Sequence, residues 1–232
     1  LQQKDPNAWE IAFALMKGTG IPEALSFKKE HYPYLIQLLG EYEEIQGDIK
    51  GFMDYPVKRY EASPYLQSIS LNDSHFAHFR VAAKGWDYLR QMSLCFNALC
   101  ELPGDIDRLG HLQILYLSGN RLQTLPSALG NMRNLRLLWL AGNQLKALPK
   151  EMASLKALEE LDLSRNRLKN VPEQVFQLAS LQVLRLDHNL LEELPADIQK
   201  LRNLRKLSLA GNPLRRLPEA LATLPALEEL DL

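Results

Sequence analysis

The sequence predicts an α/β repeat solenoid: a curved horseshoe with a parallel sheet on its concave side, preceded by an α-helical N-terminal cap. Three observations predict it. A leucine recurs every 23 residues, at Leu66, Leu89, Leu112, Leu135, Leu158, Leu181, Leu204 and Leu227. Within each unit leucines alternate at a period of two, as Leu115 and Leu117 do, which marks a strand with one buried face. One asparagine and one proline also return at fixed offsets in nearly every unit. Units of this length bury a continuous core only by stacking, and they leave an extended concave surface free to hold another macromolecule.

Residues 1–65 lack the 23-residue pattern and are expected to form a helical cap or a small helical domain. Asp5 and Pro6 suit a helix start, apolar Trp9, Ile11, Phe13, Leu15 and Met16 follow, and Gly18 suits a stop. A second helical stretch is expected from Pro33 to Ile45, with Tyr34, Leu35, Leu38, Leu39 and Tyr42 on one face. Gly47, Gly51, Pro56 and Pro64 make residues 47–65 a connector. A cap that shields the first leucine layer is favoured over a domain with its own recognition task, because an open repeat end exposes apolar surface. Gly18-Thr19-Gly20 is a poor phosphate loop, since it follows a helix and lacks the Lys-Ser/Thr ending.

The repeats occupy residues 66–232, as seven complete units and one incomplete one. The first is degenerate: Leu66, Ile69, Leu71, Phe76 and Phe79 are its anchors, with Ser74 where later units have asparagine and Arg80 where they have proline. A terminal unit that caps the stack departs from the pattern in this way. In the later units the alternating leucines point inward, and Asn97, Asn120, Asn143, Asn166, Asn189 and Asn212 follow at the bend where the strand ends. A buried amide must be hydrogen-bonded, so these asparagines are expected to satisfy the backbone of the turn and not to hold a ligand. On the returning limb Leu122, Leu125 and Leu129 complete the core. Pro126 and its counterparts Pro103, Pro149, Pro172, Pro195 and Pro218 are expected to block a regular helix, leaving an extended segment or a short helical turn.

Units such as LRNLRKLSLAGNPLRRLPEALAT resemble the leucine-rich repeat family. The likeness is to its 23-residue type, common in intracellular signalling scaffolds of the Ras-binding group and in many bacterial proteins. It spans residues 66–232 and rests on seven anchor positions that recur from unit to unit. The resemblance implies a parallel-stranded horseshoe and protein binding, and it leaves the partner open.

Alternation puts the residues between the inward leucines on the concave face. One column reads Ser70, Ser93, Tyr116, Trp139, Asp162, Arg185, Ser208 and Asp231; the other reads Ser68, Gln91, Ile114, Leu137, Glu160, Val183, Lys206 and Glu229. Ile114, Tyr116, Leu137 and Trp139 thus fall side by side, flanked by Glu160, Asp162, Val183 and Arg185. Exposed aromatics with a charged rim have the composition of a binding hot spot. The competing expectation is that the aromatics only stack across strands and that Asp162 pairs with Arg185. Cys95, Phe96, Ser118, Asp187 and His188 are expected to edge this surface.

No catalytic constellation, metal site or cofactor motif is visible. His75 and His78 flank core Phe76 without a carboxylate or cysteine to complete a metal site. Asn72-Asp73-Ser74 is a formal glycosylation acceptor of the kind chance supplies. Cys95 and Cys100 lack C-x-x-C spacing and lie in one unit, so disulfide-stapled ends are absent and a reducing, cytoplasmic location is expected. With 27 Lys and Arg against 28 Asp and Glu, no global basic field favours nucleic acid or an anionic membrane. No apolar run approaches the roughly 20 residues of a membrane span. The chain starts without Met and stops inside the unit that opens at Leu227. Both ends are therefore expected to be limits of the piece, and the oligomeric state stays open. The leading expectation is a non-catalytic scaffold that binds a protein or peptide. The alternatives are the substrate-targeting module of a larger enzyme or bacterial effector and, behind that, an extracellular adhesion or receptor ectodomain.

Overall fold

Alternating leucines over three-residue stretches make the strands. The computed structural model describes residues 68–70, 72 and 89–232. Among these residues the strands number eight: β1 (Ser68–Ser70), β2 (Gln91–Ser93), β3 (Ile114–Tyr116), β4 (Leu137–Trp139), β5 (Glu160–Asp162), β6 (Val183–Arg185), β7 (Lys206–Ser208) and β8 (Glu229–Asp231). They form one sheet in sequence order. Every neighbour is parallel, and the register keeps the 23-residue offset, as in Leu115 beside Leu138 and Tyr116 beside Trp139. The central residues Met92, Leu115, Leu138, Leu161 and Leu184 are fully buried, while the residues flanking Leu115, Leu138, Leu161 and Leu184 stay half-exposed. Backbone pairing runs past the strands: Leu117 N–H donates to Trp139 O at 2.8 Å and Gly119 N–H to Ala141 O at 2.8 Å.

The asparagines stitch each unit to the one before it. Asn143 Nδ2 donates to Leu140 O in its own unit and to Leu117 O in the preceding one, each at 3.0 Å, and its Oδ1 accepts the Leu122 N–H at 3.0 Å. Asn120, Asn166, Asn189 and Asn212 repeat the arrangement. Their role is structural, as the register implies.

The returning limbs refine the expected α/β character. They are short 3-10 turns, among them Ser127–Asn131, Lys150–Ser154, Glu173–Gln177 and Ala196–Lys200, and the described residues include no α-helix. The prolines begin these turns instead of interrupting them. Pro126 is extended (φ -69, ψ 147), and its carbonyl accepts the first turn bond, from Leu129 N–H at 3.1 Å. Pro149, Pro172 and Pro195 do the same. Proline's fixed φ suits the entry position, where no N–H is needed. Five residues then leave room for only one tight turn before the next strand. Because these limbs are bulkier than strands about 4.8 Å apart, the sheet lines the inner side of the stack.

A single apolar core runs from Leu89 to Leu224. At its far end Leu230 and Leu232 are exposed, whereas Leu227 is half-buried against the core. The expected helices over residues 1–65, the anchors Leu66, Phe76 and Phe79, and the pair His75 and His78 lie outside the described residues.

Candidate functional site

Strands β3 to β6 place the eight singled-out side chains in two rows on one face. Ile114, Leu137, Glu160 and Val183 are successive register partners, as are Tyr116, Trp139, Asp162 and Arg185. All eight are half-buried. The Tyr116 and Trp139 rings meet with centroids 4.7 Å apart and planes tilted by 57°. The indole is also tethered sideways, because Trp139 Nε1–H donates to Glu160 Oε1 at 2.9 Å. Partial burial pushes the Tyr116 phenol pKa up, and the Glu160 carboxylate and the Cys95 thiol add to the shift.

The expected Asp162–Arg185 pair is not the ion pair that forms. Arg185 reaches diagonally to Glu160 Oε1 instead. Asp162 turns toward its own unit: Oδ1 accepts both the Ser164 N–H at 2.9 Å and the Ser164 hydroxyl at 2.6 Å. The reason is local, since a serine two residues on supplies two donors to one oxygen, an Asx-type arrangement that costs no long side chain its freedom.

Of the residues expected at the edge, Phe96 and His188 are exposed, Ser118 and Asp187 are half-exposed, and Cys95 is buried. Among the described residues neither cysteine forms a disulfide. Asp187 is engaged: its Oδ1 accepts the Ser208 hydroxyl and, at 3.1 Å, the Ala210 N–H. Asn72 Oδ1 plays the equivalent part, accepting the Ser93 hydroxyl at 2.7 Å and the Cys95 N–H at 2.8 Å.

One feature of the edge was missed at the sequence level. The position just before each asparagine is left-handed in six units: Gly119, Gly142 and Gly211 have φ of 71, 65 and 69, and Phe96, Arg165 and His188 have φ of 55, 53 and 50. The signal was present as three glycines in a single column of the repeat. Where Phe96 and His188 take the position, the ring lies over the next unit's glycine. A Cβ on Gly119 would sit 2.5 Å from the Phe96 ring, and one on Gly211 would sit 2.4 Å from His188 Nδ1. Beyond the aromatic pair an open concavity of about 430 Å³ is lined by Arg165, Arg185, Asp187, His188, Lys206 and Glu229, among others. Lys206 and Glu229 pair at 2.6 Å, and this bond draws the Glu229 pKa down. Among the described residues there is no metal-ligand cluster and no helix long and apolar enough to cross a membrane.

The chain belongs to the leucine-rich repeat family: a leucine-rich repeat region model matches residues 87–167, and a leucine rich repeat model matches 156–214 and 179–232. Among solved structures it is similar to a leucine-rich repeat protein of Leptospira interrogans, with 34% identity over 73% of this chain and 43% of that one and a TM-score of 0.69. It also shares its fold with an internalin of Listeria monocytogenes, with 22% identity over 71% of this chain and 46% of that one and a TM-score of 0.57. The chain thus spans less than half the length of either neighbour. No curated protein sequence matches it. Leucine-rich repeat folds typically serve as protein-interaction modules and are generally not catalytic.

Proposed function

We propose that the chain is a non-catalytic interaction scaffold that binds a protein or peptide on its sheet face, with Tyr116 and Trp139 as the centre of the contact. Ile114, Leu137 and Val183 supply apolar flanks, and Glu160, Asp162 and Arg185 a charged border. The observation that carries this is the half-exposed ring pair held rigid by stacking and by the Trp139–Glu160 hydrogen bond. Rigid aromatics lose little entropy on binding and dominate interface energetics. Residues 1–65 would cap the first layer, and two cysteines outside any disulfide suit a reducing, cytoplasmic setting.

The test is selection of short displayed random peptides on the native chain, followed by affinity measurement on a Tyr116→Ala, Trp139→Ala double variant. Loss of roughly thirtyfold or more in affinity is expected for a hot-spot pair. Unchanged affinity in a variant with native circular dichroism rules the site out.

A second reading makes the chain the targeting module of a larger enzyme or effector; the two structural neighbours each extend well beyond the part this chain matches. The full reading frame around residues 1–232 decides it: a catalytic domain in the same polypeptide is the expected finding, and a frame holding only further repeats and a cap argues against it.

A further inference from the structure

Charge on the sheet face narrows the kind of partner. Within the described strands the outward columns carry four carboxylates, Glu160, Asp162, Glu229 and Asp231, against two cations, Arg185 and Lys206. Both cations are committed, Arg185 to Glu160 and Lys206 to Glu229. Asp162 and Asp231 are left without an ion-pair partner among the described residues. Asp231 accepts a hydrogen bond from Ser208 on the exposed last strand. Asp162 lies beside Trp139 in the register, in the row Tyr116, Trp139, Asp162. Its Oδ1 takes both Ser164 donors, and its Oδ2 has no partner among the described residues.

We infer that the partner is an extended peptide segment bearing an arginine, whose guanidinium lies against the Tyr116–Trp139 ring pair and donates to Asp162 Oδ2. The inference rests on the sheet-face reading above and adds the chemistry of the ligand. Neighbouring strands are about 4.8 Å apart, so a planar cation over the indole is within reach of a carboxylate one strand away. Guanidinium is suited to both contacts at once, stacking on an aromatic face and donating in the plane to an oxygen. The Trp139 Nε1–H bond to Glu160 turns the indole edge toward β5, the strand that carries Asp162. Arg185 does not oppose the incoming cation strongly, because Glu160 compensates it. Ile114 and Leu137, register partners in the other row, receive an apolar side chain next to the arginine.

The experiment takes the peptides selected on the native chain and compares each with its arginine→citrulline form, on the native chain and on Asp162→Asn. Citrulline keeps the shape of arginine without its charge and leaves the protein untouched, so the comparison holds whether or not the variant is perturbed. Selected peptides are expected to be enriched in arginine. Each single change should weaken binding about fivefold or more, and the two changes together should cost little beyond either one, because they remove the same contact. Binders that lose affinity on Trp139→Ala yet are neutral or acidic, and that ignore Asp162→Asn, overturn this inference while leaving the sheet-face reading intact. Binders that ignore Trp139→Ala overturn both.

Discussion

Asn143 holds two units together with a single side chain. Its amide gives two protons to carbonyls of different units and its oxygen accepts one from the bend of the preceding unit, all inside a region it shares with fully buried leucines. Truncation to alanine leaves the Leu122 N–H buried without its partner, while Leu117 O and Leu140 O keep the amides of Asn120 and Asn166, and a buried group so orphaned costs about 1–3 kcal/mol. Asn143→Ala is therefore expected to lower stability by about 1–3 kcal/mol, read as a fall in the urea midpoint at unchanged slope. A loss within experimental error contradicts the role assigned to the column. This role was legible in the sequence, because a short polar residue recurring where a strand ends has few other uses. The side-chain partners on the face were not. Asp162 and Arg185 share a register position, yet Arg185 is long enough to choose the diagonal Glu160, and Ser164 captures Asp162 first.

At the scale of the element, each strand is only three residues long and gains its definition from the bend at its C-terminal end. The left-handed residue before the asparagine bends the chain out of the sheet while its N–H still donates across the ladder, as from Arg165 to Asp187 O at 2.7 Å. Glycine adopts that conformation freely, and a side chain makes it costly by about 1 kcal/mol. Arg165 is exposed and makes no ion pair among the described residues, so little offsets the strain. Arg165→Gly is expected to raise stability by about 0.5–1 kcal/mol in thermal or urea unfolding. Destabilisation contradicts the strain assignment. Period-two leucines made the strands readable in advance. The 3-10 limbs were readable only as extended or briefly helical, because proline excludes a helix interior without choosing among the turns it can begin.

At the scale of the molecule, the main contacts among the described elements join neighbouring units, and they are set by small local fits. Gly130 lies so close to the next limb that a Cβ there would stand 2.3 Å from the Glu151 carbonyl oxygen. Such stacking passes one register through the sheet, which is why residues 23 apart in the sequence form continuous rows on its face. The rows were legible because the alternation and the repeat length together determine them. Which residues in them bind is a matter of surface chemistry that the repeat does not encode. The central claim, that binding is centred on Tyr116 and Trp139, is tested most directly by carbene footprinting of the chain with and without a selected peptide. Labelling of Tyr116, Trp139, Ile114 and Leu137 is expected to fall sharply on binding, while labelling of the limbs Lys150–Ser154 and Glu173–Gln177 stays unchanged. Protection of those limbs with the aromatic pair still fully labelled would contradict the account.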